Sequence, residues 1–495
     1  MRIAEHRDAA EVQLGSTLLG RELRTLAICL LAAALVVALI LRFSNLAGES
    51  EMSSDEGADW AAASAPTLSE VQQLGVAFNA GKLALYDVVL HFWIEAFGES
   101  LTSMRALSAV LGVLDVLLLS LAIREMFRGW SAEANPRPPN NAATIAILGA
   151  VIVALNVTMV KYAREIRMYP LVLALILLQV WWFFRTVRQG AVEDYVNLAL
   201  LSALALAANF TSALVFAAEG VWLLPSVLGL TEYSLVARRR AYLLIAAVAG
   251  GGAALLLPLV YESGRLFNLI KLGEFVFIPP ISLRGVFVVL WDAIGRTALF
   301  VVVPLAIFGT LRGWCRAPQA ISFLVCWFCV PILLAIFVSY LVTPFWVERY
   351  VLSSFLPLLV LAGLGLLELP TPTVALAGLA LVVLLEAVDT HYYDRSKSDY
   401  QWGVQWREAA LAAAATNASV GVEPPIAHHV VQYYLRRSPV PPAAYQNNFV
   451  GGREGEVLIV ADQIPISQPR EAADLLREFS KTVARLNGVS VVERQ

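Results

Sequence analysis

Long runs of apolar residues alternate with short polar connections along most of this chain. Eleven runs approach the roughly 20 residues that a helix needs to cross the hydrocarbon core of a bilayer. Because lipid offers backbone groups no hydrogen-bonding partner, we expect each run to be helical. The predicted spans lie at 25–42, 105–124, 142–160, 169–186, 196–211, 213–230, 241–260, 287–310, 320–342, 350–367 and 373–389.

Two of the polar connections are long. The first, 43–104, contains "ALYDVVLHFWIEAF", whose apolar residues recur at helical spacing. This pattern is typical of an amphipathic helix lying in the membrane interface. The second, 261–286, contains Pro279 and Pro280, which exclude a continuous helix there.

The last hundred residues have a different pattern. "EVLIVAD" and "VSVVE" are typical of strands, and "PREAADLLREFSKTVARLNG" has the spacing of an amphipathic helix that ends at Gly488. The sequence therefore predicts an all-α polytopic membrane protein with a small C-terminal soluble α/β domain. We expect the membrane domain to span 1–390 and the α/β domain to span 391–495.

Composition agrees with a membrane protein. Hydrophobic residues make up 58% of the 495 residues and charged residues only 15%, against about 25% in soluble proteins. The net charge of −3 gives no indication of a nucleic-acid partner, and four cysteines do not form a disulfide framework. Lysine and arginine in the short loops predict a cytoplasmic N-terminus, which puts the C-terminal tail outside. In a bacterium the protein would lie in the inner membrane, with its tail in the periplasm.

Charged residues gather at three places on the predicted outer face, within "SSDEGADW", "KYAREIRMYP" and "FWVERYVLSSFLP". On a continuous helix, the two arginines of the second group would share a face. A guanidinium group binds phosphate oxygens in a planar fork, so a lipid phosphate at the membrane surface would suit this group. The charged and tyrosine residues concerned are Asp55, Glu56, Lys161, Arg164, Arg167, Tyr169, Glu348, Arg349 and Tyr350.

Each group alone has a simpler interpretation. Loop acids are usually solvated, and basic side chains at helix ends often extend to the membrane interface. Their convergence on one face instead favours group transfer from a phosphate-linked lipid. The acid would act as a base toward an acceptor hydroxyl, and the arginines would stabilise the departing phosphate.

Three blocks of the sequence resemble a known family. They are "SSDEGADW", "LYDVVLHFWIEAFGESLTSMRALSAVLGVLDVLLLSLAIREMF" and "KYAREIRMYPLVLALILL", and "FWVERYVLSSFLPLLVLAGLG" adds a fourth. With these blocks the chain resembles the GT-C membrane glycosyltransferases of the protein O-mannosyltransferase and aminoarabinose transferase type. The resemblance implies inverting transfer of a sugar from a polyprenyl-phosphate donor to a hydroxyl on protein, lipid or glycan, at the outer face of the membrane.

The resemblance also implies roles for particular residues. It implies a donor that is neither a nucleotide sugar nor a metal-bound diphosphate, so we expect no cofactor and no metal. The implied general base is Asp55 with Glu56 as its supporting partner, the implied donor-phosphate contacts are Arg164, Arg167 and Arg349, and Tyr169 and Tyr350 would be secondary contacts.

The chain departs from the family pattern in the first long connection. Many relatives have "PPLYY" where this chain has "KLALYD", so that Asp87 replaces a tyrosine. A further acid, Asp59, follows the acidic pair and is a second candidate for the base. Tyr86 and His91, in the predicted interface helix, are further candidates for the site.

Two other functions remain open on the sequence. The chain could be a transporter or flippase of a lipid-linked sugar, although such proteins often show internal repeats, and none is visible here. It could also be a non-catalytic subunit of an envelope polysaccharide assembly. The expected partners in the leading interpretation are a polyprenyl-phosphate-linked sugar, an unidentified hydroxyl acceptor and membrane lipids.

Overall fold

The computed structural model describes most of the chain. Its described residues are 28–44, 46, 51–79, 81–128, 142–230, 236–255, 258, 264, 280–399, 405–416, 419–423, 427–437, 444–445, 457–461, 481–486 and 489–493.

Helices dominate the described part of the chain up to residue 399. The first group is α1 Ile28–Phe43, α2 Ser54–Ala63, α3 Leu68–Phe78, α4 Leu85–Phe97, α5 Leu101–Arg128, α6 Ala142–Leu155, α7 Val157–Ala163, α8 Tyr169–Arg188 and α9 Val192–Ala208. The second group is α10 Ala213–Leu228, α11 Arg238–Ala254, α12 Leu283–Ile294, α13 Leu299–Trp314, α14 Pro318–Leu341, α15 Phe355–Leu367 and α16 Pro372–Asp399. Short 3-10 turns cover Phe210–Ser212, Glu348–Tyr350 and Leu352–Ser354.

Each predicted span coincides with a helix or with a pair of helices separated by a break. Within the described residues, five helices are long and apolar enough to cross a membrane, or up to seven if each bent pair counts as one span. The protein is therefore a multi-pass membrane protein, and the number of eleven crossings stays a prediction.

Two of the predicted spans are broken. Helices α6 and α7 meet at 64°, and α12 and α13 meet at 88°. Acids of α16 bind both helix starts at these breaks. Glu386 accepts hydrogen bonds from the Asn156 side chain (3.2 Å) and the Val157 backbone N–H (3.1 Å). Asp389 accepts one from the backbone N–H of Thr297 (3.0 Å). An acid at a helix start satisfies N–H groups that lack an internal partner and complements the helix dipole, which makes the breaks tolerable inside the bundle.

The predicted interface helix is present as α4, but it buries a different face from the apolar one read in the sequence. Tyr86, Asp87 and Leu90 are buried, whereas Phe92 and Phe97 are exposed. The reason is electrostatic, because Asp87 pairs with the fully buried Lys82 and this turns its face toward the protein. The position of α4 at the membrane interface stays a prediction.

The tail contains a five-stranded sheet and two helices. The strands are β1 Ser419–Glu423, β2 Ala444–Tyr445, β3 Val457–Ala461, β4 Lys481–Leu486 and β5 Val489–Glu493, in the order β2-β1-β3-β5-β4. β1 pairs in parallel with β2 and β3, and β5 pairs antiparallel with β3 and β4. Helix α17, Trp406–Ala415, packs on β3, β4 and β5, and helix α18, His428–Leu435, packs on α17 and on α2.

One prediction for the tail is wrong. The amphipathic helix expected over 469–488 is replaced, at its C-terminal end, by strand β4, and residues 469–480 lie outside the described residues. β4 pairs with β5 from Leu486↔Val489 outward. The sequence between the two strands, Asn487-Gly488, is a strong local signal for a tight hairpin, and the helical spacing of the apolar residues misled the prediction.

Candidate active site

Helix α2 begins at the acidic pair because its first turn is capped. Ser53 Oγ accepts a hydrogen bond from the backbone N–H of Glu56 (3.3 Å), and Glu56 Oε2 accepts one from the backbone N–H of Ser53 (2.8 Å). This reciprocal capping box satisfies two N–H groups and fixes the helix start. Adjacent helical residues point about 100° apart, so Asp55 and Glu56 meet different surroundings.

Glu56 is buried, with 1% of its surface exposed, and it is saturated with donors. Arg105 donates from Nε to Oε1 (2.9 Å) and from Nη2 to Oε2 (3.0 Å), and the backbone N–H of Ile166 donates to Oε1 (3.0 Å). Burial alone would disfavour the charged form, but the ion pair and these hydrogen bonds lower the pKa of Glu56 to about 2. Glu56 therefore ties α2 to α5 and to the turn before α8, which positions its neighbour.

Asp55 is the accessible acid of the pair. Its side chain keeps 36% of its surface exposed, and Oδ2 lies 2.9 Å from Arg349 Nη1 and 3.6 Å from Arg167 Nη2. Arg167, acting with Arg349 against the effect of burial, lowers the pKa of Asp55 below its usual value. The structure thus brings one partly open, ionised carboxylate against two guanidinium groups from distant parts of the chain.

A buried network of alternating charges lies behind Arg167. Its Nη1 donates to Asp59 Oδ2 (3.0 Å), and the other oxygen of Asp59 accepts from Lys82 Nζ (2.5 Å) and Asn79 Nδ2 (2.8 Å). Lys82 Nζ also lies 2.7 Å from Asp87 Oδ2. Because Asp59 is fully buried and engaged on both oxygens, it holds Arg167 in place and is not accessible from outside the protein.

Arg164 lies elsewhere. The expectation that it shares a helical face with Arg167 is wrong, because α7 ends at Ala163 and the turn before α8 separates the two side chains. Arg164 donates to the Leu41 carbonyl at the end of α1 (2.8 Å), to Ser44 Oγ (2.7 Å) and to Asp394 Oδ1 (2.5 Å). These contacts join α1 to α16, and the geometry gives Arg164 a structural position away from Asp55.

Lys161 and the two tyrosines surround the cluster. Lys161 Nζ donates to Glu348 Oε2 (3.3 Å), which connects α7 to the turn that carries Arg349. The guanidinium of Arg167 lies 5.5 Å from the ring centroid of Tyr169, and that of Arg349 lies 5.6 Å from the ring of Tyr350. Both tyrosines therefore contact the guanidinium groups that hold Asp55.

Tyr86 and His91 do not contact Asp55. The Tyr86 hydroxyl lies 3.0 Å from Ser108 Oγ, which donates to the Arg167 carbonyl (3.3 Å), so this pair supports the turn that presents Arg167. His91 Nδ1 lies 2.8 Å from the Ala63 carbonyl, at the opposite end of α2.

Two residues that support the site were not predicted from the sequence. Arg105 pairs with Glu56, and Lys82 bridges Asp59 and Asp87. Each is a lone cation in an otherwise apolar stretch, and that isolation was the available signal, because a charge that enters a buried region needs a partner.

For metal, the ranges described above contain no group of three His, Cys, Asp or Glu side chains close enough to hold an ion. The absence of a cofactor stays a prediction.

The comparisons with known proteins concern structure alone. Neither a protein-family model nor a curated protein sequence matches the chain. The structure of ArnT from Cupriavidus metallidurans in the apo state matches with a TM-score of 0.57 at 13% identity, covering 95% of this chain and 98% of that one. ArnT bound to undecaprenyl phosphate matches with a TM-score of 0.51 at 14% identity, covering 94% and 97%. The archaeal oligosaccharyltransferase AglB from Archaeoglobus fulgidus, in complex with an inhibitory peptide and a dolichol-phosphate, matches with a TM-score of 0.51 at 10% identity, covering 95% and 74%.

The chain has a GT-C fold. The resemblance carried by the sequence blocks is thereby confirmed at the level of the fold. At 10–14% identity the neighbours do not assign roles to individual residues of this chain, so these roles are argued from the contacts of its own side chains. In the cluster of Asp55, Arg167 and Arg349, a partly exposed carboxylate meets two cations.

Proposed function

We propose that this protein is an inverting glycosyltransferase. It moves a sugar from a polyprenyl-phosphate-linked donor to a hydroxyl group on a protein, lipid or glycan acceptor, at the outer face of a bacterial inner membrane. The observation that carries the proposal is the contact of the Asp55 carboxylate with Arg349 (2.9 Å) and Arg167 (3.6 Å), at the start of a helix outside the membrane spans.

The two arginines suit a donor phosphate. Arg349 Nε is buried and has no hydrogen-bond partner among the described residues, so this guanidinium keeps a donor available beside the one it gives to Asp55. A phosphate monoester offers several acceptor oxygens and binds guanidinium groups strongly. A donor phosphate would share these two guanidinium groups with the Asp55 carboxylate.

Asp55 suits the acceptor. As an ionised carboxylate it takes the proton of the acceptor hydroxyl while the oxygen bonds to the anomeric carbon, on the face opposite the phosphate. The bond from the anomeric carbon to the phosphate oxygen breaks, and its electron pair leaves with the polyprenyl phosphate. Arg167 and Arg349 stabilise the charge that develops on this leaving group, and the anomeric carbon passes through an oxocarbenium-like state, as in glycoside hydrolysis.

Donor binding would also activate the base. The Asp55 pKa is lowered because Arg167 and Arg349 favour the charged form. A donor phosphate that shares these cations weakens their hold on the carboxylate, which raises the pKa of Asp55 and makes it a stronger base. The same cations therefore link donor binding to proton transfer.

Two structural neighbours support the choice of donor. ArnT was solved with undecaprenyl phosphate and AglB with a dolichol-phosphate, and both carriers are polyprenyl phosphates. The identity of the sugar and of the acceptor lies beyond the fold, since a common fold hosts many substrates.

Reconstituted vesicles distinguish transfer from transport. Full-length protein is placed in liposomes with undecaprenyl-phosphate-linked sugars that carry a radiolabel in the sugar, together with an envelope extract as a source of acceptors. We expect free undecaprenyl phosphate to form as the label passes to an acceptor. Label that crosses the bilayer on intact lipid, with no cleavage, would instead identify a transporter.

A further inference from the structure

A groove lies between the first long polar connection, 43–104, and the tail. It has a volume of about 470 Å³ and is bounded by the end of α2, by α3 and by α18. This volume falls within the roughly 300–1,000 Å³ of typical small-molecule sites. Asp55, Arg167 and Arg349 do not line this groove, although Asp55 and part of the lining lie on the same helix, α2.

The walls of the groove are held together by close packing. A Cβ atom added to Gly57 would lie 2.8 Å from Val430 Cγ2, so only glycine lets α18 approach α2 this closely. The rings of Trp60 and Tyr433 meet edge to face at 5.1 Å. The groove is therefore a consequence of how the tail docks on the helix that carries Asp55.

Two buried polar atoms on the lining have no partner. Among the described residues, neither Ser64 Oγ nor His429 Nδ1 makes a hydrogen bond, and both residues line the groove. Buried polar atoms in native proteins are nearly always paired, so we infer that these two side chains turn toward a ligand or water in the groove, since neither atom is exposed as it stands. Burial and the neighbouring His428 lower the pKa of His429 to about 4, against the opposite effect of a side-chain hydrogen bond with Gln432. The neutral ring can both donate and accept.

The rest of the lining favours a ligand rich in hydroxyl groups. The Glu70 carboxylate accepts hydrogen bonds from hydroxyl groups, and the Gln73 and Gln432 amides both donate to and accept from them. Phe78, 37% exposed, provides an aromatic surface for an apolar sugar face. The single acid Glu70 is balanced by the single arginine Arg436, so the lining carries no excess of positive charge for a phosphorylated ligand.

The distance from the groove to Asp55 sets a length requirement. Asp55 is in the first turn of α2 and Ser64 follows the last residue, which places them about 13 Å apart along the helix axis at 1.5 Å per residue. This exceeds the length of a single sugar ring. The near wall at Trp60 lies about 7.5 Å from Asp55 along the axis, so the requirement applies to a ligand whose remote part is held at Ser64. Such a ligand can present a hydroxyl to Asp55 only if it extends over more than one sugar.

We propose that this groove binds an uncharged oligosaccharide and thereby selects a glycan as the acceptor. The acceptor role of this oligosaccharide rests on the proposed function. The binding of a saccharide to the groove does not depend on it. Ser64, Gln73, His429 and Gln432 would hold the part of the glycan remote from the reacting hydroxyl.

The test measures binding to full-length protein in detergent, using maltotriose, chitotriose, mannotriose and a serine- and threonine-containing heptapeptide as probes. We expect at least one trisaccharide to bind and the peptide not to bind. The double variant Gln73→Ala with Gln432→Ala should weaken that binding about tenfold or more, because two hydrogen bonds are lost. Gln72→Ala, an exposed neighbour on α3 that does not line the groove, is the matched control and should bind as the unaltered protein does.

The outcomes separate this inference from the proposed function. If the unaltered protein binds a trisaccharide, the Asp55→Asn variant retains that binding, and the unaltered protein itself transfers no sugar, the groove is kept and the transferase is rejected. Sugar transfer by a protein that binds none of the trisaccharides, or whose binding the double variant leaves unchanged, would reject the groove and keep the transferase. Binding of the peptide alone would also overturn the saccharide proposal.

Discussion

Two neighbouring acids take different tasks because the helix turns their side chains apart. Glu56 lies under the protein surface with four donors around it, and Asp55 lies at an opening with two cations. The sequence predicted the pair and its place on the outer side of the first span. It could not predict which acid is buried, because Arg105 and Ile166 come from other elements.

Glu56→Gln should destabilise the protein. The amide removes the carboxylate that pairs with the buried Arg105 guanidinium, and removing one partner of a buried ion pair costs about 3–5 kcal/mol. Thermal unfolding in detergent measures the effect, with Glu193→Gln, an exposed acid at the start of α9, as the control. An unchanged melting temperature for Glu56→Gln would contradict the structural role given to this acid.

At the scale of elements, buried charge joins helices that the sequence shows only as separate apolar runs. The run of charges from Asp87 through Lys82 and Asp59 to Arg167 connects α4, the segment before it, α2 and the turn before α8. The limits of most helices were predictable from apolar periodicity. The breaks at Asn156 and before α13 were not, since the acids that stabilise them come from α16, and Glu386 is 230 residues from Asn156 in the chain.

Lys82→Met should be strongly destabilising because it leaves the buried Asp87 carboxylate without its cation and Asp59 with Arg167 alone. We expect a loss of about 3–5 kcal/mol. In an Asp87→Asn background the same substitution should cost less, with a coupling energy of about 0.5–3 kcal/mol, as for residues in one network. Urea unfolding of the four proteins of this cycle gives the coupling, and strictly additive losses would show that the network does not act as a unit.

Asp389→Ala should destabilise the protein at the break between α12 and α13. The backbone N–H groups of Thr297 and Ala298 would lose their acceptor, at a cost of about 1–2 kcal/mol. Asp389→Asn keeps an acceptor oxygen and should recover part of this loss. Thermal melts of the two variants check the idea, and equal losses from both would mean that the charge rather than the hydrogen bonds holds the break.

At the scale of the whole molecule, the fold assembles one site from remote parts of the chain. Asp55 and Arg349 are 294 residues apart and in contact. The predicted topology placed both on one face of the membrane, which is why their convergence could be anticipated. Arg164 shows the limit of that reasoning. The predicted topology placed it on the same membrane face as Asp55, but the turn after α7 directs its side chain to Asp394.

The central claim is that Asp55 is the base that deprotonates the acceptor. The direct measurement is the rate of sugar transfer from an undecaprenyl-phosphate-linked donor by Asp55→Asn, compared with unaltered protein and with Glu193→Gln. We expect a fall of about 10²–10⁴-fold in Asp55→Asn, the usual contribution of a general base, with the melting temperature of the protein preserved. Transfer by Asp55→Asn at the rate of the unaltered protein would contradict the account.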